Sequence, residues 1–264
     1  MKRTPVFLWG VMMSLLLLSA CIGPFAPTPT NPNVIVSPLS NFDEISVDVP
    51  LQLELTQDPS FDVELSGDSL WLSRIDIDVV NNVLEVRFAP DTSGFTPPDS
   101  LPLYDVKLAV SLPSLVALEL KTATKTSTTS LFTIDDLQVN LDGAAEADLE
   151  LDGDSLYVDV DGAGDITLEA DLLTLDLSVA GAARYEGEGT VDNQLIVVKG
   201  AGNVEAFDMV SQHCEIDFLG AGEAEVNAQQ SLDVQIVGAA TVYYKGNPSI
   251  TQSISGLGSL VDSN

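Results

Sequence analysis

The chain has 264 residues and carries 40 acidic side chains against 10 Lys and Arg, for a formal net charge of −30 at pH 7. A surface this negative argues against nucleic-acid binding and against docking on anionic lipid headgroups. The simplest interpretation of the negative charge is that it keeps the protein soluble. The charge is also compatible with bound cations or with basic partners. Because Cys21 and Cys214 are the only two cysteines, a disulfide framework within one chain is excluded.

The first residues have the layout of a secretory signal. Lys2 and Arg3 precede an apolar run at 6–18 that only a Gly and a Ser interrupt. A positive start followed by a short apolar run is typical of an export signal, and the run is shorter than the ~20 residues that span a bilayer. Removal of the signal would make the net charge two units more negative.

The sequence Leu-Ser-Ala-Cys at 18–21 resembles a bacterial lipobox. In proteins of that type the peptide is cut just before the cysteine, and the thiol receives lipid. We therefore predict a lipoprotein signal peptide at 1–20, cleavage between Ala20 and Cys21, and lipidation of Cys21. An ordinary signal peptide that happens to end near a cysteine is the alternative.

The next segment predicts a tether at 21–41. Its five prolines lie among Thr, Asn and Ser, and proline at this density favours extended chain without amide donors. A structured first strand at 34–36 is the alternative.

A Gly-rich triplet recurs seven times in the C-terminal half. Its first glycines are 19, 19, 19, 20, 18 and 18 residues apart, and such self-similarity is typical of stacked repeats. Glycine allows a positive φ at a tight corner, and the small residue after it fits a crowded bend. The triplets begin at Gly143, Gly162, Gly181, Gly200, Gly220, Gly238 and Gly256.

Each triplet lies between two predicted strands. The side chains six, four and two residues before the first glycine are mostly apolar, as at Leu137 and Leu141, and polar residues alternate with them. A period of two with one apolar side indicates a half-buried strand. The same inward positions hold Cys214, and in the last repeat Ile250 and Ile254. Cys214 is therefore predicted to lie in the core.

The segment before the repeats is also β-like but less regular. Apolar residues alternate at 42–55 and 75–88, and shorter strands are predicted at 106–110 and 116–120. The Pro-rich stretch at 90–102 reads as an inserted loop.

No 3.6-residue period competes with these patterns. We therefore predict an all-β fold over 42–264, a single-domain parallel β-helix of about 18–20 residues per coil with irregular N-terminal coils.

The chain resembles the GIN-domain family, described as heads of auto-transporter adhesins. The resemblance rests on the opening at 41–47, on the Gly-Ala-Gly ladder, and on the closing motifs at 244–248 and 255–258. It covers 42 to about 260. What it implies is an extracytoplasmic β-helical domain, often carried by lipoproteins, without established catalytic residues.

The sequence lacks the histidines that common catalytic and metal-binding sites require. His213 is the only histidine, so His-based metal sites and Ser-His-Asp arrangements are not available. Because His213 adjoins the inward position of Cys214, it is expected to point outward.

An acidic column is predicted on the outward side of the strands that follow the corners. Asp148, Glu186, Glu205 and Glu225 occupy equivalent positions, where stacking would place like charges ~5 Å apart. Oxygen ligands at this spacing are suited to Ca²⁺, but the Gly-rich calcium repeat of known β-helices is absent. We predict no cofactor and no metal, with weak Ca²⁺ binding by this column as the open alternative.

These observations predict a non-enzymatic, lipid-anchored protein of the cell envelope that acts in adhesion, scaffolding or envelope binding. Its expected partners are the membrane, through the lipid, and an unidentified protein or glycan, but not nucleic acid. The alternative is a polysaccharide-binding or polysaccharide-processing β-helix protein. The scarcity of Lys and Arg on the repeats argues against that alternative for acidic polysaccharides, which the carboxylates would repel.

Replacement Cys21→Ser is expected to release the protein from the membrane without unfolding it, since it removes the thiol that accepts lipid. Membrane fractionation and circular dichroism of the released chain test this. Retention of the variant in the membrane would instead indicate that 6–18 is an uncleaved anchor.

Overall fold

The computed structural model describes residues 33–90 and 106–264. The predicted signal peptide, the cleavage site and Cys21 lie outside the described residues, as do the first part of the predicted tether and most of the predicted loop at 90–102. No helix within the described ranges is long and apolar enough to cross a membrane.

The described chain is all-β, as predicted, and its strands form one mixed sheet of 13 strands. A four-residue helix, α1 (Ser69–Leu72), interrupts them. The strands are β1 (Asn33–Val36), β2 (Glu44–Asp48), β3 (Gln52–Gln57), β4 (Asp62–Gly67), β5 (Ile75–Val80), β6 (Val83–Phe88), β7 (Lys107–Leu112), β8 (Ala117–Leu120), β9 (Lys125–Thr128), β10 (Phe132–Gly143), β11 (Glu146–Lys245), β12 (Ser249–Gly256) and β13 (Ser259–Asp262).

The segment at 33–36 is a strand. The alternative of a structured first strand is therefore correct for this part of the predicted tether. β1 pairs antiparallel with β4, with Val34 opposite Ser66 and Ile35 opposite Leu65. β4 in turn pairs antiparallel with β7. These antiparallel pairings make the sheet mixed. The predicted parallel β-helix did not include them, because that prediction rested on the repeats, which lie later in the chain.

The alternating stretch at 75–88 is a hairpin. β5 and β6 pair antiparallel, and Asn81 and Asn82 connect them with φ angles of 52° and 70°. Two successive positive φ angles are typical of a type I′ turn, which asparagine tolerates better than most residues. The Asn-Asn pair was the signal for this turn, and the alternation alone did not reveal it.

The repeats pair in parallel at the spacing of the triplets. Leu137 on β10 lies opposite Leu156 on β11, 19 residues later, and Leu232 lies opposite Ile250 on β12, 18 residues later. Hydrogen bonds join β11 to itself at similar separations, as from Asn227 Nδ2 to the carbonyl of Phe207 at 2.9 Å. An extended strand of 100 residues would be ~330 Å long, so β11 consists of several successive repeats.

The inward positions form one continuous hydrophobic core. Cys214 is 3% exposed there, as predicted. Tyr185 lies four residues after Gly181 and next to the outward Glu186, which is an inward position, and it is also buried. A Cβ at Gly187 would overlap the Tyr185 ring and hydroxyl, so this glycine provides the space that the large ring needs.

The last repeat departs from the predicted pattern. Ile250 and Ile254 occupy inward positions but are each 39% exposed. They lie on β12, which pairs with β11 and with no other strand of the described residues. An inward side chain is buried only when another repeat lies against it, and here one side is open.

From the second triplet onward, the first glycine of each triplet lies directly against the first glycine of the repeat before. Gly200 has a φ of +140°, and a Cβ on it would overlap the carbonyl oxygen of Gly181. The same overlap recurs at Gly181, Gly220, Gly238 and Gly256 with their preceding glycines. Glycine is therefore required both for the backbone angle and for the close approach.

Replacement Gly200→Ala is expected to lower the free energy of unfolding by about 3 kcal/mol, from backbone strain and overpacking together. Ala201→Gly at the neighbouring exposed position is the matched control and should cost about 1 kcal/mol or less. Urea denaturation of both variants checks this. An equal loss of unfolding free energy in the two variants would show that the close contact between glycines does not constrain this position.

Candidate functional site

An open acidic groove runs along the outward face of the strands that follow the corners. Its volume is ≈ 310 Å³. The groove brings together all four members of the predicted acidic column and adds carboxylates from the neighbouring outward positions. The carboxylates that line it belong to Asp148, Glu169, Glu186, Glu188, Glu205, Asp208 and Glu225.

The groove exists because the parallel register repeats the same outward positions. Side chains alternate across a strand, and parallel neighbours lie ~4.8 Å apart. Glu186, Glu205 and Glu225 follow their triplet glycines by five residues each, so they lie side by side on successive repeats. Thr167 separates Asp148 from this row. The local charge density is therefore highest in the middle of β11.

Arg184 partly neutralises this row. Its Nη2 lies 2.8 Å from Glu205 Oε2 and 3.1 Å from Glu186 Oε2, and its Nε donates to Glu205 Oε1 at 3.1 Å. Two donors on one carboxylate form the bidentate geometry that the guanidinium favours. Arg184 thus clamps two repeats whose carboxylates would otherwise repel each other.

The pKa of Glu205 is lowered from its ordinary value, mainly by the hydrogen bond from Arg184 and further by one from Asn203. The Nδ2 of Asn203 donates to Glu205 Oε1 at 2.6 Å. The same pairing raises the pKa of Arg184. Glu205 is therefore already engaged and contributes little to binding a further cation.

Lys245 is the other cation of the groove. Its Nζ lies 4.2 Å from the centre of the Phe207 ring, a cation–π distance. The Phe207 ring lines the groove. This end of the groove therefore presents an aromatic ring beneath a positive charge, whereas the Asp148 end has carboxylates.

The predicted acidic column lacks the geometry of a metal site. Within residues 33–90 and 106–264, no three or more Asp, Glu, His or Cys side chains converge closely enough to hold a metal ion. Glu186 and Glu205 instead bind Arg184. The alternative of Ca²⁺ binding by Asp148, Glu186, Glu205 and Glu225 therefore finds no preformed ligand cluster in the structure.

His213 and Cys214 do not form a catalytic pair. His213 is exposed, as predicted, and its Nδ1 lies 2.8 Å from Ser231 Oγ. Cys214 faces the core, and burial raises the pKa of its thiol to about 12. The nucleophilic thiolate is therefore scarce at neutral pH.

A family model described as "Putative auto-transporter adhesin, head GIN domain" matches residues 41–248. None of the curated proteins matches the chain. The matched range includes the acidic groove and most of the repeats.

Solved structures share the fold over nearly the whole chain. A protein from Parabacteroides distasonis described as a "putative lipid binding protein" is 25% identical, with a TM-score of 0.77, and covers 89% of this chain and 98% of its own. A "putative adhesin" from Parabacteroides merdae is 18% identical, with a TM-score of 0.76 and the same coverage of both chains. Another from P. distasonis is 18% identical with a TM-score of 0.75, also over 89% and 98%.

Replacement Arg184→Gln is expected to raise the pKa of Glu205 toward its ordinary value, because the strongest hydrogen bond to the carboxylate is lost. A lowered carboxyl pKa stabilises the fold at neutral pH, and this contribution disappears as the pH falls through that pKa. A carboxyl ¹³C NMR titration measures the change. The pKa of Asp58, which is lowered by hydrogen bonds from Ser60, should not move, and an unchanged Glu205 would disprove the clamp.

Proposed function

The chain belongs to the GIN-domain family of auto-transporter adhesin heads, and on this premise we propose that it is a non-enzymatic adhesion or scaffolding protein of the bacterial envelope. In this proposal the protein is exported, lipid on Cys21 holds it to a membrane, and the described domain presents its outward faces to a partner. The adhesin-like family supports an extracytoplasmic or surface location.

The repeats in this proposal wind as a parallel β-helix. The parallel register at 18 and 19 residues and the glycine-on-glycine contacts support one coil per triplet. The antiparallel strands β1, β4 and β5 would then belong to the irregular N-terminal coils.

The observation that carries the proposed function is the alternation of buried and outward side chains along β11, which recurs in every repeat between the corners. Inward side chains fill the interior with a continuous core. A partner can therefore bind only to the side chains on the outer faces. Such faces are stiff because neighbouring repeats are paired along their strands. Stiff, regular faces suit an extended partner that binds along several repeats.

The acidic groove indicates the chemistry of that partner. Seven carboxylates line it against a single lysine, and Arg184 at its edge is already paired. Electrostatic complementarity then favours a basic protein segment over an acidic glycan or an anionic membrane. The alternative of a polysaccharide-binding or polysaccharide-processing protein has no support from the family or from the solved structures. The lipid binding named for one similar protein is tested as a separate outcome.

The proposal predicts that the purified full-length chain in non-ionic detergent binds polylysine and not polyglutamate, with an affinity that falls as salt is added. The double replacement Glu188→Lys and Glu225→Lys in the groove should weaken this binding about tenfold or more, about 1.4 kcal/mol. Biolayer interferometry at several salt concentrations measures both effects.

The matched control is Asp159→Lys with Asp161→Lys, which makes the same change in net charge on the outward face before the corner. This control should weaken binding only about twofold, through the overall field. Equal losses in the two double variants would show that net charge, and not the groove, attracts the probe. Binding to zwitterionic vesicles, or to a neutral glycan and not to polylysine, would overturn the proposal in favour of a lipid or glycan partner.

A further inference from the structure

Strands β12 and β13 form an uncovered end of the sheet, which we call the open edge (Ser249–Gly256 and Ser259–Asp262). Both strands pair with β11 alone among the described residues. Within the described residues their outer backbone groups have no strand partner, and Ile250 and Ile254, at inward positions of the last repeat, are each 39% exposed. Leu257 at the corner of the same repeat is 89% exposed. The open edge therefore combines unpaired strand edges with exposed apolar side chains, a combination that promotes association.

The open edge is also almost uncharged. From residue 246 to residue 264 the only ionisable side chain is Asp262, whereas the whole chain carries a net charge of −30. The outward side chains of β12 are Ser249, Thr251, Ser253 and Ser255, which bring no charge to a contact. Two copies of so acidic a protein repel each other through most of their surfaces, and this repulsion is weakest where the charge is lowest.

The sheet path itself ends in β1 and β5. The β5 end differs from the open edge in its charge, and β5 pairs there with β6 as a hairpin. Arg87 lies there among three carboxylates, with Nη2 at 2.7 Å from Asp78 and 3.3 Å from Asp76 and with Nη1 at 2.8 Å from Glu85. The charged β5 end does not complement an apolar and uncharged edge, so stacking of the open edge on the β5 end of another copy is disfavoured.

We infer that the open edge binds the open edge of a second copy of this chain. A two-fold axis would place the two β12 strands antiparallel and edge to edge, which continues the sheet from one copy into the other. Ile250 and Ile254 of each copy would then be covered, as their counterparts are in the interior repeats. A two-fold contact occupies the open edge of both copies, so the product is a closed dimer.

The lack of charge at the contact leads to an unusual salt dependence. Added salt screens the repulsion between two highly acidic copies and leaves an apolar contact intact. The dimer should therefore become more stable as salt increases. Polylysine binding by the acidic groove changes in the opposite direction, so failure of one proposal is distinguishable from failure of the other.

Cysteine cross-linking of the full-length chain in its own membranes tests the dimer. Thr251→Cys, Ser253→Cys and Ser255→Cys place single thiols along β12, and near a two-fold axis at least one of them should meet its own copy. Oxidation with copper phenanthroline is expected to give a dimer band on a non-reducing gel for at least one of the three. Ser130→Cys, an exposed serine outside the open edge, is the matched control and should stay monomeric.

A second replacement separates a specific contact from random collision. Ile254→Asp combined with the best cross-linking cysteine should reduce the dimer band at least about tenfold, because it puts a pair of like charges into the contact. Leu173→Asp, at another exposed leucine (51%), should leave the band unchanged. Resistance to proteolysis in both variants establishes that they remain folded.

The inference is overturned if all three edge cysteines stay monomeric, if Ser130→Cys cross-links equally well, or if Ile254→Asp and Leu173→Asp have the same effect. A cross-linked product whose mass differs from twice the chain would show that another protein occupies the open edge. A dimer band that weakens as salt is added would also overturn it, since an uncharged contact cannot depend on attraction between charges.

Discussion

The close approach of one repeat to the next at the triplet corner is the constraint on which the rest of the structure depends. The carbonyl oxygen of Gly181 lies where a Cβ of Gly200 would be, and at the last corner the carbonyl of Gly238 accepts a hydrogen bond from the amide of Leu257 at 2.7 Å. Only glycine permits this contact at a positive φ. Each corner therefore fixes the register of its repeat against the one before.

A fixed register determines both the core and the electrostatics. Because equivalent positions lie side by side, inward side chains form apolar columns. Acidic side chains at equivalent outward positions lie next to each other on successive repeats, and their charges repel. The Arg184 clamp on Glu186 and Glu205 relieves this repulsion at the middle of the row. The acidic groove is thus a direct result of the stacking, and its charge is a cost that the corner contacts and the core must offset.

The sequence predicted the regular part of the molecule well and its ends poorly. Periodicity located the corners, the inward position of Cys214 and the four members of the acidic column, since these depend on the repeat alone. It did not show how the large ring of Tyr185 fits at its inward position, because the space for that ring comes from the absence of a side chain at Gly187. It also placed Ile250 and Ile254 in the core, although burial at the last repeat depends on what lies beyond it.

The sequence by itself determined the all-β class, the spacing of the repeats and which side chains point outward, because a two-residue alternation and a recurring glycine are local properties of the backbone. Only the tertiary structure decided the pairing of Arg184 with two carboxylates, the antiparallel strands β1, β4 and β5, and the exposure of the open edge. Each of these depends on residues brought together from different repeats or from distant parts of the chain, and the distances between such residues are set by packing and not by local pattern.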